Sequence, residues 1–177
     1  LLLFGVLQKA NSEEQNVKIS NMTTWLVTLS LCLLIFMEAY TQNTQITAFG
    51  NMFINDKFAI FCKVLVLLGS LAILIISSGF LKRHGMARFE FPLLILFSVL
   101  GMMMMISAND LIAMYIGLEM QSLPLYILTA FRRDDGRSVE AGLKYFILGA
   151  LASGLLLYGS SLIFGFSGTT NFQELAK

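Results

Sequence analysis

The feature that most constrains the fold is an apolar stretch, residues 109–131, with one carboxylate near its middle, Glu119. A transmembrane helix needs roughly 20 mostly apolar residues, and this stretch is long enough. An ionised side chain at the centre of a bilayer costs on the order of 2.5–3.5 kcal/mol on insertion scales, so such residues are rare and usually functional. We therefore expect a membrane-spanning helix in which the carboxylate of Glu119 has a role.

Other polar and aromatic residues recur at helical spacing around this carboxylate. They are Tyr115, Ser122, Tyr126 and Thr129. Steps of three and four residues place them on one helix face with Glu119, where they can hydrogen-bond a carboxyl group or line a chain of waters. Pro124 is expected to break the helical hydrogen bonding, because it leaves the carbonyl near Met120 without a donor. A plainer alternative is that Glu119 only ties two helices together.

The composition excludes several classes of protein. Of 177 residues, 56% are hydrophobic and 13% are charged, which is too apolar for a soluble domain. The net charge of +1, with no basic stripe, gives no indication of nucleic-acid binding. Cys32 and Cys62 are expected to be small buried side chains, and the single His84 in a basic loop makes a metal site improbable. Because the chain opens at Leu1 within an apolar run, we expect a fragment of a longer membrane protein.

Hydropathy predicts an all-α, polytopic bundle of transmembrane helices. The predicted elements are the end of a helix over 1–8, membrane spans over 22–40, 58–81, 90–107, 110–131 and 140–166, and a polar exit over 167–177. The connection 108–110 is too short for anything but a tight turn, so the spans on either side form an antiparallel pair, with Asp110 as a turn or cap residue. Asn55 or Asp56 is expected to cap the second span, and Ser138 the last.

Basic residues are distributed unevenly between the two sides of this topology. One side carries eight, which are Lys9, Lys18, Lys82, Arg83, Arg88, Arg132, Arg133 and Arg137, and the other carries only Lys57 and Lys177. Such a bias over short loops is a positive-inside signal. The loops 9–20, 82–88 and 132–137 are therefore expected to face the cytoplasm, or the matrix if the protein is mitochondrial.

The last span combines small residues with a lysine. Spaced pairs such as Gly149–Ser153 and Ala150–Gly154 predict a helix buried in a bundle. Lys144 is accordingly expected to be a buried lysine that can exchange a proton, with snorkelling to the interface as the alternative. Counted along the helices, Glu119 lies roughly 10 Å deeper than Lys144, so a relay between them needs bridging water or other partners.

Two more charges occur near the ends of spans. Glu38, at the outer end of the first complete span, is expected to lie at the membrane interface. Lys63, near the outer end of the second, is expected to snorkel. A mid-membrane glutamate, a second ionisable group in a span and a proline inside a helix together indicate the movement of protons or cations.

The segment 107–172 resembles a known family. Its LExQSLPLY motif around Glu119 and its EAGLKYFILGA motif around Lys144 are similar to those of the subunit N family of proton-pumping NADH:quinone oxidoreductase, respiratory complex I, whose mitochondrial counterpart is chain 2. The resemblance extends less distinctively over the upstream spans.

This resemblance implies an antiporter-like fold with inverted repeats, of which the present chain is a part. It implies that Glu119 and Lys144 belong to a proton path, with Tyr115, Ser122, Pro124 and Tyr126 in support, and that the path's central lysines lie on later helices. No cofactor is expected in this chain. NADH, FMN, iron–sulfur clusters and quinone would bind other subunits, and the expected partners are other membrane subunits of the complex and the lipid bilayer.

Three functions are consistent with these features. The first is a proton-translocating subunit of complex I in a bacterial inner membrane, or alternatively a mitochondrial one, which is enzymatic only as part of the complex. The second is an Mrp-type cation/proton antiporter subunit, or a sibling antiporter-like subunit of complex I. The third is a structural scaffold whose charges serve packing and assembly alone.

Overall fold

The computed structural model describes residues 13–40 and 46–177. In chain order the elements are α1 (Glu13–Tyr40), β1 (Ile46–Ala48), β2 (Phe53–Asn55), α2 (Lys57–Arg83), α3 (Glu90–Ser107), α4 (Leu111–Thr129), α5 (Gly136–Ser167) and α6 (Phe172–Leu175). Helices α1 to α5 are each long and apolar enough to cross a membrane. The predicted all-α membrane bundle is thus confirmed.

Several boundaries differ from the predicted ones. Helix α1 begins at Glu13, inside the segment 9–20 that was expected to be a polar loop. Helix α5 begins at Gly136 because the side chain of Asp135, and not that of Ser138, caps it by accepting a hydrogen bond from the backbone of Arg137. Ser138 instead donates to the carbonyl oxygen of Thr129. The helix end predicted over 1–8 lies outside the described residues.

The segment between α1 and α2, expected to be a plain polar loop, contains a short antiparallel hairpin of β1 and β2. Its turn uses three consecutive residues with positive φ, namely Phe49, Gly50 and Asn51. Asp56 then caps α2 by accepting a hydrogen bond of 2.7 Å from the backbone of Ala59, which is one of the two capping options expected from the sequence.

The hydrophobic core lies among the first three helices. Its buried side chains are Val27, Leu31, Leu67, Leu74, Leu93 and Val99. Helix α4 packs against α3, and α5 packs mainly against α4. The bundle therefore has a three-helix core, extended on one side by the α4–α5 pair.

Helices α3 and α4 approach until their backbones touch at two glycines. A Cβ atom on Gly101 would lie 2.3 Å from the backbone nitrogen of Gln121, and one on Gly117 would lie 2.8 Å from that of Met105. Both glycines are eight residues from Asn109, at the centre of the short connection, so they lie at the same depth in the antiparallel pair. A larger residue at either position must displace backbone.

Helix α5 approaches α4 in a similar way along one face only. A Cβ on Gly142 would lie 2.5 Å from that of Ala130, and one on Gly149 would lie 2.0 Å from the hydroxyl oxygen of Tyr126. A Cβ on Gly154 would contact nothing in the described part of the chain. The small residues thus provide close packing against α4, but α5 is the least buried of the five spans, so the expectation of a fully buried helix is not met within these residues.

Asn109 holds together the end of the bundle that carries the hairpin. Its backbone N–H donates to Met52, its side-chain amide donates to the carbonyl of Asn51, and its carbonyl accepts from Phe172. Beside it, Asp110 caps α4 through the backbone of Ile112 and also accepts a hydrogen bond from the hydroxyl of Thr170. The hairpin, the α3–α4 turn and the segment after α5 are therefore joined at one end.

Substitution of Gly117 by alanine should destabilise the protein, because the added methyl group would overlap the α3 backbone. Overpacking of this kind typically costs about 1–3 kcal/mol. The measurement is the thermal unfolding temperature of the purified protein in detergent. Gly79→Ala on α2 is the matched control, since its added Cβ would meet nothing within 4 Å. Equal unfolding temperatures for Gly117→Ala and the control would contradict the backbone contact.

Candidate functional site

Glu119 lies in the middle of α4 and is half-buried. Its carboxylate receives no hydrogen bond and forms no ion pair with any residue in the part of the chain that the structure describes. The residues three before and four after it, Ile116 and Leu123, are both exposed apolar side chains. Since residues at this spacing share a helix face, Glu119 stands at the edge of the outward-facing side of α4.

The hydroxyl groups that share its helix face do not converge on the carboxylate. Ser122 donates to the carbonyl of Leu118, and Thr129 donates in the same way within α4. Tyr126 is buried against α5, with its ring 4.8 Å from that of Tyr145. Each hydroxyl of Ser122 and Thr129 is satisfied by its own helix, so the predicted hydrogen bonds to Glu119 are not formed in the described residues.

A cavity of about 440 Å³ lies between α4 and α5, next to the Glu119 turn. Its wall is mostly apolar, and the side chains that carry polar groups in it are Gln121, Ser122, Tyr126, Tyr145 and Ser153. Glu119 does not line this cavity, although Ser122 lies one helical turn away from it. Tyr115 lines a second, smaller cavity of about 170 Å³, together with Leu157 and Ser160.

Pro124 does not end helix α4, although its missing N–H removes the hydrogen bond to the carbonyl near Met120, as the sequence predicts. Helix α4 continues through Pro124 to Thr129, and the proline ring is buried. A proline removes one helical hydrogen bond and crowds the preceding turn, but burial of its ring against neighbouring helices can hold the helix together.

The expected burial of Lys144 is not found in the described chain. Its side chain is 69% exposed and pairs with Glu140 one turn earlier, with 2.5 Å between Nζ and Oε1. Because Gly142 faces Ala130, Lys144 lies beside the end of α4, far along the helix from Glu119. The structure does not bring the two predicted site residues together.

The sequence analysis missed a buried ion pair between the other two charges. Lys63 Nζ lies 3.4 Å from Glu38 Oε1, and the two side chains are only 10% and 14% exposed. Lys63 also donates a 2.8 Å hydrogen bond to the side-chain oxygen of Asn55 on β2. The expectation that Lys63 snorkels is therefore wrong in the described chain, because its ammonium has partners inside the protein. That Glu38 lies at the membrane interface stays a prediction. The pair could have been predicted, because Glu38 and Lys63 carry opposite charges at the same end of two consecutive spans.

The cysteines and acidic residues offer no metal site in the described ranges 13–40 and 46–177. Cys62 is partly buried, but Cys32 is exposed on α1, which corrects the expectation that both are buried.

Removal of one member of the Glu38–Lys63 pair should destabilise the protein more than neutralisation of both. Breaking a buried pair typically costs about 3–5 kcal/mol, since it leaves one uncompensated buried charge. We expect Glu38→Gln to lower the thermal unfolding temperature of the purified protein, and the double variant Glu38→Gln, Lys63→Gln to recover much of the loss. Additive losses in the two single variants would show that the charges do not interact.

Comparison with known proteins identifies the class of membrane protein. Residues 108–177 match the family described as NADH:quinone oxidoreductase/Mrp antiporter, transmembrane. A chain of the membrane-bound sulfane sulfur reductase, an archaeal respiratory membrane complex, has the same fold, with a TM-score of 0.68 over 98% of this chain and 36% of that one at 21% identity. Residues 108–177 are thus similar to that membrane family, and the described chain shares the fold of a respiratory membrane complex subunit.

Relatives at higher identity are NADH-quinone oxidoreductase subunit N proteins. Over all 177 residues the chain is 51% identical to the NADH-quinone oxidoreductase subunit N of Rhodospirillum rubrum and 50% identical to that of Paramagnetospirillum magneticum. It is 51% identical over 175 residues to the subunit N of Rhodobacter capsulatus. The chain spans about one third (35%) of the length of each of these relatives. The resemblance to the subunit N family that the sequence motifs indicated is thereby confirmed.

Proposed function

We propose that this chain is part of a proton-translocating membrane subunit of a respiratory NADH:quinone oxidoreductase, in which electron transfer elsewhere in the complex drives proton movement. The names of the similar subunit N proteins support this proposal. The spans α1 to α5 make the chain a multi-pass membrane protein. Its proposed location is a bacterial inner membrane, with the basic loops on the cytoplasmic side.

One observation carries the proposal most directly, and it is the placement of Glu119. The carboxylate lies mid-way along a membrane-spanning helix, receives no hydrogen bond from the described residues, and stands beside an exposed apolar face. An acidic group in this position needs a partner or water that the described residues do not supply. We propose that the rest of the subunit packs on this face and brings a cationic or hydrated site to Glu119.

Lys144 and Glu140 have a related proposed role near the basic end of α5. Their ion pair is exposed in the described chain, and an exposed pair of this kind contributes little to stability. Covered by further helices, the same pair would sit in a less polar environment where its Coulomb interaction is stronger. Lys144 would then act as a cationic group coupled to Glu119 through intervening groups, since the two side chains do not touch here.

The proposal assigns no redox chemistry to this chain. NADH, FMN, iron–sulfur clusters and quinone would be bound by other subunits of the complex, and the partners of this chain would be other membrane subunits and lipid. Tyr115, Ser122, Pro124 and Tyr126 would shape the α4 side of the proton path, and Ser122 and Tyr126 also line the cavity between α4 and α5.

Substitution of Glu119 by glutamine in the full-length subunit tests the proposal. The variant keeps the size of the side chain but cannot carry a proton on a carboxylate, so NADH-driven proton pumping should fall by a factor of about 10 or more. The measurement is the pumping rate in membrane vesicles, with assembly of the complex checked on a native gel. Glu119→Asp should retain part of the activity.

Glu174→Gln serves as the matched control, because Glu174 is an exposed residue of the short helix α6 whose carboxylate accepts a hydrogen bond from Thr169. It should pump normally. Unchanged pumping in a fully assembled Glu119→Gln complex would refute the assigned role. Parallel loss of assembly and activity would instead favour the scaffold function.

The Mrp-type cation/proton antiporter is the second candidate, since the description of the matching family covers both kinds of protein. The two differ in their driving reaction. Sodium-dependent proton exchange in vesicles that contain no NADH-oxidising subunits would favour the antiporter, whereas pumping that requires NADH oxidation would favour the oxidoreductase subunit.

A further inference from the structure

The Glu38–Lys63 pair borders a cavity that the proposed function does not use. The cavity has a volume of about 640 Å³ and lies beneath the hairpin, where Lys63, Asn55 and Ser107 contribute its polar groups. Most of its wall is apolar and includes Phe53 of the hairpin and Met103 and Met104 of α3. The cavity lies at the end of the bundle that carries the hairpin, opposite to the basic loops.

Two buried polar atoms at this location have no hydrogen-bond partner among the described residues. They are the hydroxyl oxygen of Ser107, which lines the cavity, and Oε2 of Glu38. An unsatisfied buried polar atom destabilises the protein unless water or a ligand supplies the missing bond.

We infer that Glu38 and Lys63 form a proton-exchange site that communicates with the aqueous phase at the hairpin end through this cavity. Lys63 is the member that contacts the cavity, and Glu38 lies behind it on α1. Lys63 is the only titratable side chain in the described cavity wall, so α3 and the hairpin bring no competing charge to it. Asp56 is the nearest acidic residue along the chain, and its side chain caps α2.

The exchange proceeds in two balanced proton transfers. The ammonium of Lys63 passes one proton to Glu38 Oε1, across the 3.4 Å that separates them, which leaves a neutral amine and a neutral carboxylic acid. A hydronium ion in the cavity then returns one proton to the amine and becomes water. The pair gains one proton in total, and release follows the same two steps in reverse.

Accessibility of Ser107 tests the aqueous connection without reference to pumping. In the full-length protein with Cys32 and Cys62 replaced by serine, Ser107→Cys should react with a small, membrane-impermeant methanethiosulfonate reagent added on the hairpin side of sealed vesicles. Ser98→Cys is the matched control, since Ser98 is a buried serine on the same helix that lines none of the cavities described here. An unreactive Ser107→Cys would overturn the inference.

Proton transfer is tested in the assembled complex with the double variant Glu38→Gln, Lys63→Gln, which keeps polar groups of similar size but removes both titratable groups. We expect normal NADH oxidation and a decrease of about twofold or more in protons released at the hairpin side per NADH. An unchanged ratio in an assembled complex would overturn the inference and leave the pair with a packing role alone.

This pumping measurement rests on the proposed function, but the labelling result does not. Normal pumping in Glu119→Gln together with labelled Ser107→Cys would therefore refute only the role of Glu119.

Discussion

The close contact between α3 and α4 determines the direction in which the side chain of Glu119 points. Gly101 and Gly117 allow the two backbones to touch, so one face of α4 is fixed against α3. Glu119 lies two residues after Gly117, which corresponds to a rotation of about 200° around the helix axis. The glycine contact thus directs the carboxylate away from the three-helix core. It leaves Glu119 on the side where the described chain has no further helix.

The structure places charge in the membrane region in two different ways. Glu38 and Lys63 neutralise each other between α1 and α2, and Asn55 provides an additional hydrogen bond to the lysine. Glu119 has no such compensation within the described residues. The first arrangement belongs to a local unit formed by consecutive helices, whereas the second requires helices from elsewhere. Ionisable groups in one chain can therefore depend on quite different parts of the whole protein for their stability.

The class of fold and the resemblance to known families were predicted well from the sequence. Both depend on local features, namely long apolar stretches and short motifs such as the one around Glu119. It also placed Asp56 and Asp110 as cap residues, since capping depends on a few neighbouring positions. The burial expected for Lys144 is not found in the described chain, and the environment of Lys63 differs from the predicted one. Whether a lysine is buried depends on which helices pack beside it. The small residues near Lys144 indicate close helix packing, but their pattern did not show which face of α5 would make that contact.

Some features could have been recognised but were overlooked. Gly101 and Gly117 are symmetric about Asn109, and an antiparallel pair with a tight turn must bring symmetric positions together. The hairpin between α1 and α2 was harder to anticipate, because its strands have only three residues each and its turn depends on unusual backbone angles at Phe49 and Asn51. Strands this short gain most of their stability from contacts with other segments.

The carbonyl of Asn51 imposes an order on the assembly of the protein. It accepts hydrogen bonds from the side chains of Asn109 and Asn171, which follow it by 58 and 120 residues. During synthesis, the hairpin is therefore complete long before its hydrogen-bond donors have emerged from the ribosome. The hairpin end of the bundle can close only once α5 has been inserted and the chain has returned to that side, so these two hydrogen bonds form only if α5 has crossed in the right direction.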